Sequence, residues 1–122
     1  LMAVQAEPYT PVYDAFRSGQ DMITATPRMA HIRADGIAIS APVRARALLD
    51  ALYRSHGTAA AVSESEVDDC HKRMAAQGLF VEPTSATVAA AIEKSRKLFR
   101  PGEIIVAAIT GHGLKNPPLM DE

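Results

Sequence analysis

Two short stretches of the chain hold the residue types from which a small-ligand site is built. Glu82-Pro83-Thr84-Ser85-Ala86 places a carboxylate and two hydroxyls just before a helical pattern. The first backbone amides of a helix have no partner inside it and can meet an anion. Thr110-Gly111-His112-Gly113 sets a small hydroxyl beside two glycines, a composition that lets backbone approach a ligand closely. Neither defines a site alone, and the first also reads as a plain N-cap. What joins them is the helical segment between, which brings two strand ends towards a common crevice.

Other reactive residue types read as structural. His31, His56, His71 and His112 are scattered and make no H-x-x-x-H or C-x-x-C arrangement of the kind that positions metal ligands. Cys70 and His71 are adjacent, but neighbours on a helix point about 100° apart. Both fall on the apolar stripe of their helix, as a small buried thiol and a core imidazole rather than a nucleophile and its base.

The elements that must position these residues belong to one ordinary globular unit. The 122 residues are 48% hydrophobic and 22% charged, the composition of a soluble domain. Thirteen Lys and Arg against fourteen Asp and Glu give a net charge of −1, which argues against a nucleic-acid binder. No uninterrupted apolar run reaches the ~18 residues of a membrane helix, and the first residues show no basic n-region followed by an apolar h-region, so neither a membrane span nor a Sec-type address is expected. A single cysteine excludes an internal disulfide, so the expected setting is reducing and cytoplasmic. Leu1 is not an initiator, and residues 1–6 already read as strand, so the chain is expected to be a piece of a longer polypeptide.

Short apolar runs alternate with helical periods, the pattern of parallel strands joined by helical crossovers. The reading places a strand at 2–6, a short helix at 11–17 closed by Gly19, and a loop over 18–35. Residues 37–39 are too short to classify. A helix over 42–56 ends at Gly57, its apolar face formed by Ala45, Leu48, Leu49, Leu52 and Tyr53. A buried strand at 58–62 precedes a helix that starts at Ser63, where Ser63 and Glu66 have capping-box spacing. Its inward face is Val67, Cys70, His71, Met74 and Ala75, and Gly78 supplies the left-handed stop. After a brief extended stretch at 79–81, a third long helix carries the stripe Val88, Ala91, Ile92, Ser95 and Phe99 and ends at Pro101-Gly102. The best strand spans 103–109, a continuous apolar run suited to cover on both faces. The loop at its carboxyl end, 110–113, is where ligands gather in open α/β sheets. Residues 114–122 read as an irregular tail, and 1–122 as a single α/β unit.

These motifs carry a family resemblance. Gly78-Leu-Phe-Val-Glu82-Pro83-Thr84-Ser85-Ala86, the following helix, Pro101-Gly102-Glu103, the apolar strand and Thr110-Gly-His-Gly-Leu-Lys115 resemble the C-terminal part of threonine synthases. Ala34-Asp35-Gly36-Ile37, Pro42-Val43-Arg44 and Val62-Ser63-Glu64-Ser65-Glu66 are similar to segments of the same family, so the resemblance covers nearly the whole chain. Ala-Asp-Gly-Ile is shared with threonine dehydratases, whereas Thr-Gly-His-Gly-Leu-Lys is closer to threonine synthases.

The resemblance implies a three-layer α/β fold with a mainly parallel sheet, the C-terminal portion of the large domain of a fold-type II pyridoxal-phosphate enzyme. It implies the conversion of O-phospho-L-homoserine and water to L-threonine and phosphate, with pyridoxal 5'-phosphate as cofactor. Thr110 would offer its hydroxyl to the ring nitrogen. A neutral hydroxyl does not force that nitrogen to take a proton, so it moderates the electron sink. Glu82, Thr84 and Ser85 would sit near the ring or the helix start, and Gly111 and Gly113 would shape the wall. The family's Schiff-base lysine, its ring-contacting asparagine and its phosphate cradle would lie before Leu1, so no catalytic residue is assigned and the isolated chain is expected to be inactive. The implied partners are an amino-acid phosphate substrate, the remainder of the parent polypeptide and another copy in a homo-oligomer. Two alternatives stay open: a threonine/serine dehydratase-like lyase on the same cofactor, and a stand-alone module holding a small anion at the Glu82–Ser85 helix start.

Overall fold

A computed structural model of the chain describes residues 1–27 and 31–115. The tail proposed for 114–122 therefore lies largely outside the described residues. Two strands, β1 (Met2–Ala6) and β2 (Thr58–Val62), pair in parallel with Met2 opposite Thr58 and Ala6 opposite Val62. Parallel strands need a crossover. It is supplied here by α1 (Pro11–Arg17) and α2 (Ala45–Arg54), which pack on each other and precede β2 in the chain. After β2 come α3 (Glu64–Ala76) and α4 (Pro83–Lys94), packed against each other.

Strand alternation sorts these helices into layers. Met2 and Val4 pack with Ala60, Val62, Val67, Cys70, Ala86 and Ala90, the core beneath α3 and α4. Ala3 packs with Val12, Ala15, Leu49 and Leu52 beneath α1 and α2. Gln5 serves the same layer: its buried Oε1 accepts from the Val12 and Tyr13 amides at 2.8 and 2.9 Å, satisfying the start of α1. The result is a three-layer α/β unit with a parallel sheet at its centre.

Local chemistry explains where the elements start and stop. Pro11 stands in the first turn of α1, where its missing N–H costs nothing, and Gly19 follows the helix at φ +67°. The Ser63 capping box is complete, with the Glu66 amide donating to Ser63 Oγ at 3.3 Å and the Ser63 amide to Glu66 Oε2 at 2.8 Å. Gly78 takes φ +84° just beyond α3. After α2, His56 rather than Gly57 takes the left-handed turn, at φ 48°. Gly57 is required for a different reason, since a Cβ there would come within 2.5 Å of the Leu1 carbonyl oxygen.

Five details differ from the sequence expectations. The helix expected over 42–56 begins only at Ala45: no side chain caps it earlier, and Arg44 supplies the first accepting carbonyl, from the Leu48 amide. Of its expected apolar face, Leu49 and Leu52 are buried while Leu48 and Tyr53 are exposed. Ala75 at the end of α3 is likewise exposed. In α4 the buried face is Pro83, Ser85, Ala86, Thr87, Ala90 and Ala91, so of the expected stripe only Ala91 is fully inside. Small side chains let this helix approach the sheet and α3 closely. It also stops at Lys94 and tightens into a 3-10 turn over Arg96–Leu98 instead of running to Pro101.

The largest departure concerns the run 103–109. It forms no ladder with either strand, and Ile104 and Val106 are 87% and 91% exposed. An apolar run becomes a covered strand only where neighbours stand on its edges and faces, and the described residues provide none. Among the described residues no further strand pairs with either edge of the two-stranded sheet.

Candidate functional site

The two chemistry-bearing stretches meet. The segment before α4 runs antiparallel to the loop after residue 109. The Glu82 amide donates to the Gly111 carbonyl and the Gly113 amide to the Phe80 carbonyl, both at 3.0 Å, around a bridge between Val81 and His112. Ser85 then fastens the loop from the first turn of α4. Its fully buried Oγ accepts from the amides of Thr110 and Gly111, at 3.0 and 3.1 Å. A serine at this helix position costs little propensity and here replaces water for two loop amides.

The Thr110 hydroxyl lies between two partners, 3.3 Å from Ser85 Oγ and 3.2 Å from Glu82 Oε1, to which it donates. The Glu82 carboxylate is only 12% exposed, and its other oxygen lies 3.7 Å from Lys115 Nζ. Gly111 is confined by this carboxylate, since a Cβ at that position would overlap it. Gly113 is confined by Phe80, whose ring atoms would stand 2.7 Å from a Cβ. The Phe80 ring in turn meets the His112 imidazole edge-on, with centroids 5.6 Å apart.

Of the six residues singled out in the sequence, Glu82, Ser85, Thr110 and Gly111 form one hydrogen-bonded cluster. Thr84 faces elsewhere: its Oγ1 would lie 3.1 Å from a Cβ on Gly36, so it backs the Asp35–Ile37 turn. Gly113 stands behind the cluster against Phe80. Sequence reasoning gives no site role to Gly36, Phe80 or Lys115. The Ala34-Asp35-Gly36-Ile37 motif is the available signal for the first, and the Lys115 position in the C-terminal motif for the last.

An open cleft of about 420 Å³ borders the cluster, lined by Phe80, Ile109, Thr110, Gly111 and His112 among others. A second groove of about 360 Å³ runs along Leu1–Gln5 and α2, with Gln5 its one polar lining residue. Such a lining makes it a packing face rather than a reaction centre.

The remaining candidates are structural. His71 Nε2 lies 2.7 Å from the Val81 carbonyl oxygen, holding α3 to the segment that leads into the site. Burial, with Glu93 adding to it, pushes the Cys70 thiol above its ordinary range, the reverse of what an activated nucleophile needs. Among the described residues no cluster of His, Cys, Asp and Glu could hold a metal ion, and no helix is long and apolar enough to cross a membrane.

Comparison with known proteins agrees with this architecture. The family model described as pyridoxal-phosphate dependent enzyme matches residues 1–111. The chain is 38% identical to the threonine synthase of Methanocaldococcus jannaschii and 35% identical to that of Methanosarcina acetivorans. In each case the match covers 96% of this chain and 29% of the relative, so the chain spans under a third of their length. Among solved structures it resembles a T.th. threonine deaminase, with TM-score 0.64 at 20% identity over 81% of this chain and 35% of that one. It also resembles maize serine racemase, with TM-score 0.62 at 17% identity over 82% and 29%. These likenesses concern the fold. A matched family model over nearly the whole chain, together with relatives above 30% identity, establishes that the chain belongs to the pyridoxal-phosphate dependent enzyme family.

Proposed function

We propose that the chain is the C-terminal part of a threonine synthase, and that Glu82, Ser85, Thr110 and Gly111 line the ring-nitrogen edge of its pyridoxal phosphate. The observation that carries the site is the Thr110 hydroxyl, held by Ser85 and Glu82 at the rim of an open cleft. The donor set fits one end of the cofactor. A hydroxyl and a carboxylate suit a heterocyclic nitrogen, whereas an anionic side chain at the mouth of α4 repels a phosphate there. The same carboxylate disfavours a small anion at the Glu82–Ser85 helix start.

When bound, the cofactor supplies stabilisation of negative charge at substrate carbons. The chain's own contribution is positional. Ser85 ties the loop to α4, so Thr110 is held by a rigid element rather than by a free loop. Gly111 lets backbone pass close to Glu82, Thr84 backs the Gly36 turn, and Gly113 with Phe80 closes the wall. The Schiff-base lysine and the phosphate cradle belong, in this reading, to the polypeptide preceding Leu1, so the isolated chain gives no turnover.

The reaction, O-phospho-L-homoserine and water to L-threonine and phosphate, is supported by the identity to threonine synthases. It is tested on the full-length protein by following phosphate release from O-phosphohomoserine beside ammonia release from serine and threonine. Phosphate release dominating is the expected result. Ammonia release dominating replaces the reading with a dehydratase-like lyase. In the same protein Thr110→Val is expected to weaken cofactor binding and slow turnover at least tenfold, about 1.4 kcal/mol in the barrier. Unchanged kinetics with an unchanged cofactor spectrum remove Thr110 from the site.

A further inference from the structure

Two histidines flank the Phe80 ring and use their nitrogens in opposite senses. The His71 ring lies 6.3 Å from Phe80 and the His112 ring 5.6 Å from it, centroid to centroid. His71 Nε2 faces the Val81 carbonyl, which can only accept, so that nitrogen carries a proton. A second proton, on Nδ1, leaves this bond in place. His112 is the reverse case. Its Nδ1 lies 3.2 Å from the Leu114 amide, which can only donate, so that nitrogen must be bare. An imidazolium carries a proton on both nitrogens and accepts nothing. The bond from Leu114 therefore exists only while His112 is neutral, and the residue is exposed to solvent protons.

That bond closes the turn at the end of the site loop. Three successive amides fasten Gly113–Lys115: Gly113 donates to the Phe80 carbonyl at 3.0 Å, Leu114 to the His112 ring, and Lys115 to the His112 carbonyl at 3.1 Å. Only the middle acceptor can change its charge. The turn brings Lys115 Nζ to 3.7 Å from Glu82 Oε2, while Glu82 Oε1 lies 3.2 Å from the Thr110 hydroxyl. The titratable and charged groups around the imidazole are thus His71 on α3 behind Phe80, Glu82 on the segment facing the loop, and Lys115 on the turn itself. His112 and Lys115 stand three residues apart across a 3-10 turn, where such side chains come over each other. A charged His112 would add repulsion from Lys115 to the lost hydrogen bond.

We propose that His112 is a pH-operated latch on the site loop: neutral, it holds the Gly113–Lys115 turn and seats Lys115 on Glu82, and protonated, it releases both. The latch belongs to the loop and works whatever the cleft binds. Its effect on the cofactor rests on the proposed placement of that group at Glu82 and Thr110.

Amide hydrogen exchange of the 122-residue chain reads the latch at Leu114, as protection relative to the intrinsic rate at each pH. Measurements at about pH 8 and about pH 5 stand on either side of the interval in which histidine side chains change charge. Two variants accompany the wild type. His112→Asn keeps a side-chain oxygen able to accept from the amide two residues on, without titrating. His112→Leu offers no acceptor. Wild-type protection at Leu114 is expected to fall about fivefold from the higher pH to the lower, the scale of one modest hydrogen bond. It should persist in His112→Asn and be missing at both values in His112→Leu. Wild-type protection that ignores pH overturns the latch, as does His112→Leu protected like the wild type at the higher pH. A fall shared by His112→Asn overturns it too, because another group then opens the turn. In the full-length holoenzyme, cofactor affinity should drop further across this interval in the wild type than in His112→Asn. Equal drops beside an intact exchange result count against the placement of the cofactor and leave the latch standing.

Discussion

The chain contains two continuous apolar runs that look alike on paper and have opposite fates. Thr58–Val62 is strand β2, paired with β1 and roofed by α3 and α4, and Val62 is wholly buried. The run 104–109 is richer in β-branched residues, yet it pairs with neither strand and lies exposed along its length. Strand propensity measures how well a residue fits a pleated, half-buried surface, and that surface has to be supplied by other segments. For β2 the supplying segments, β1, α3 and α4, all stand among the described residues. For 104–109 none stands among the described residues, and the chain spans only 29% of the length of its threonine synthase relatives.

Substituting a charge into each run breaks this comparison most directly. Val62→Asp buries an unpaired carboxylate in the central core and is expected to cost about 4 kcal/mol or more. Val106→Asp in the same 122-residue chain changes an exposed side chain and should stay within about 0.5 kcal/mol. Urea unfolding of the two variants checks both figures. Equal losses would mean that 104–109 is covered in solution. The proposal that a longer polypeptide provides the cover sharpens the contrast: in the full-length protein Val106→Asp should become about as costly as Val62→Asp.

The next largest effect lies where the exposed run ends. Ser85 holds the amides of Thr110 and Gly111, whereas the residues just before them have no such anchor. Ser85→Ala leaves two loop amides without their acceptor, an expected loss of about 1–3 kcal/mol. Amide hydrogen exchange locates it. Exchange at Thr110 and Gly111 should accelerate to the rate of Ile105 and Val106, and unchanged protection would show that the antiparallel bridge at Val81 and His112 suffices without the serine.

These contrasts explain what the sequence could and could not reveal. β1, α1, β2 and α3 are legible because local chemistry and tertiary demand agree there. Pro11, the Ser63 to Glu66 box and Gly78 mark boundaries that packing then respects. The buried face of α4 is not legible, because Ala86, Ala90 and Ala91 carry little hydrophobic signal and are inside by virtue of being small. The strand expected at 103–109 does not form, because periodicity reports a need for burial and is silent on whether a partner is present. At the site, Glu82, Ser85 and Thr110 can be named from type and position. That Ser85 Oγ receives the Thr110 and Gly111 amides depends on how the loop folds back, and spacing along a chain does not encode that. Lys115 joins Glu82 only because the loop doubles back over residues 80–82.

The smallest expected effect tests why β2 ends cleanly where the exposed run does not. Ser63 closes β2 and opens α3, and Ser63→Ala removes the acceptor for the Glu66 amide, an expected cost of about 1 kcal/mol. Its other half is pH-dependent. Partial burial works against the charged form of Glu66, but the Ser63 amide and the Lys94 ammonium together outweigh it and hold the carboxyl below its ordinary value. A carboxyl whose folded pKa is lowered adds stability that is fully present above its unfolded value of about 4.3 and is lost as pH falls through the folded value. Glu66→Gln should therefore cost no more than about 0.5 kcal/mol at pH 7, because the pair is partly open to solvent. The gap from wild type should close as the urea midpoint is followed downward from about pH 4. A gap that stays constant into acid would assign the contribution of Glu66 to its hydrogen-bonding shape rather than to its charge.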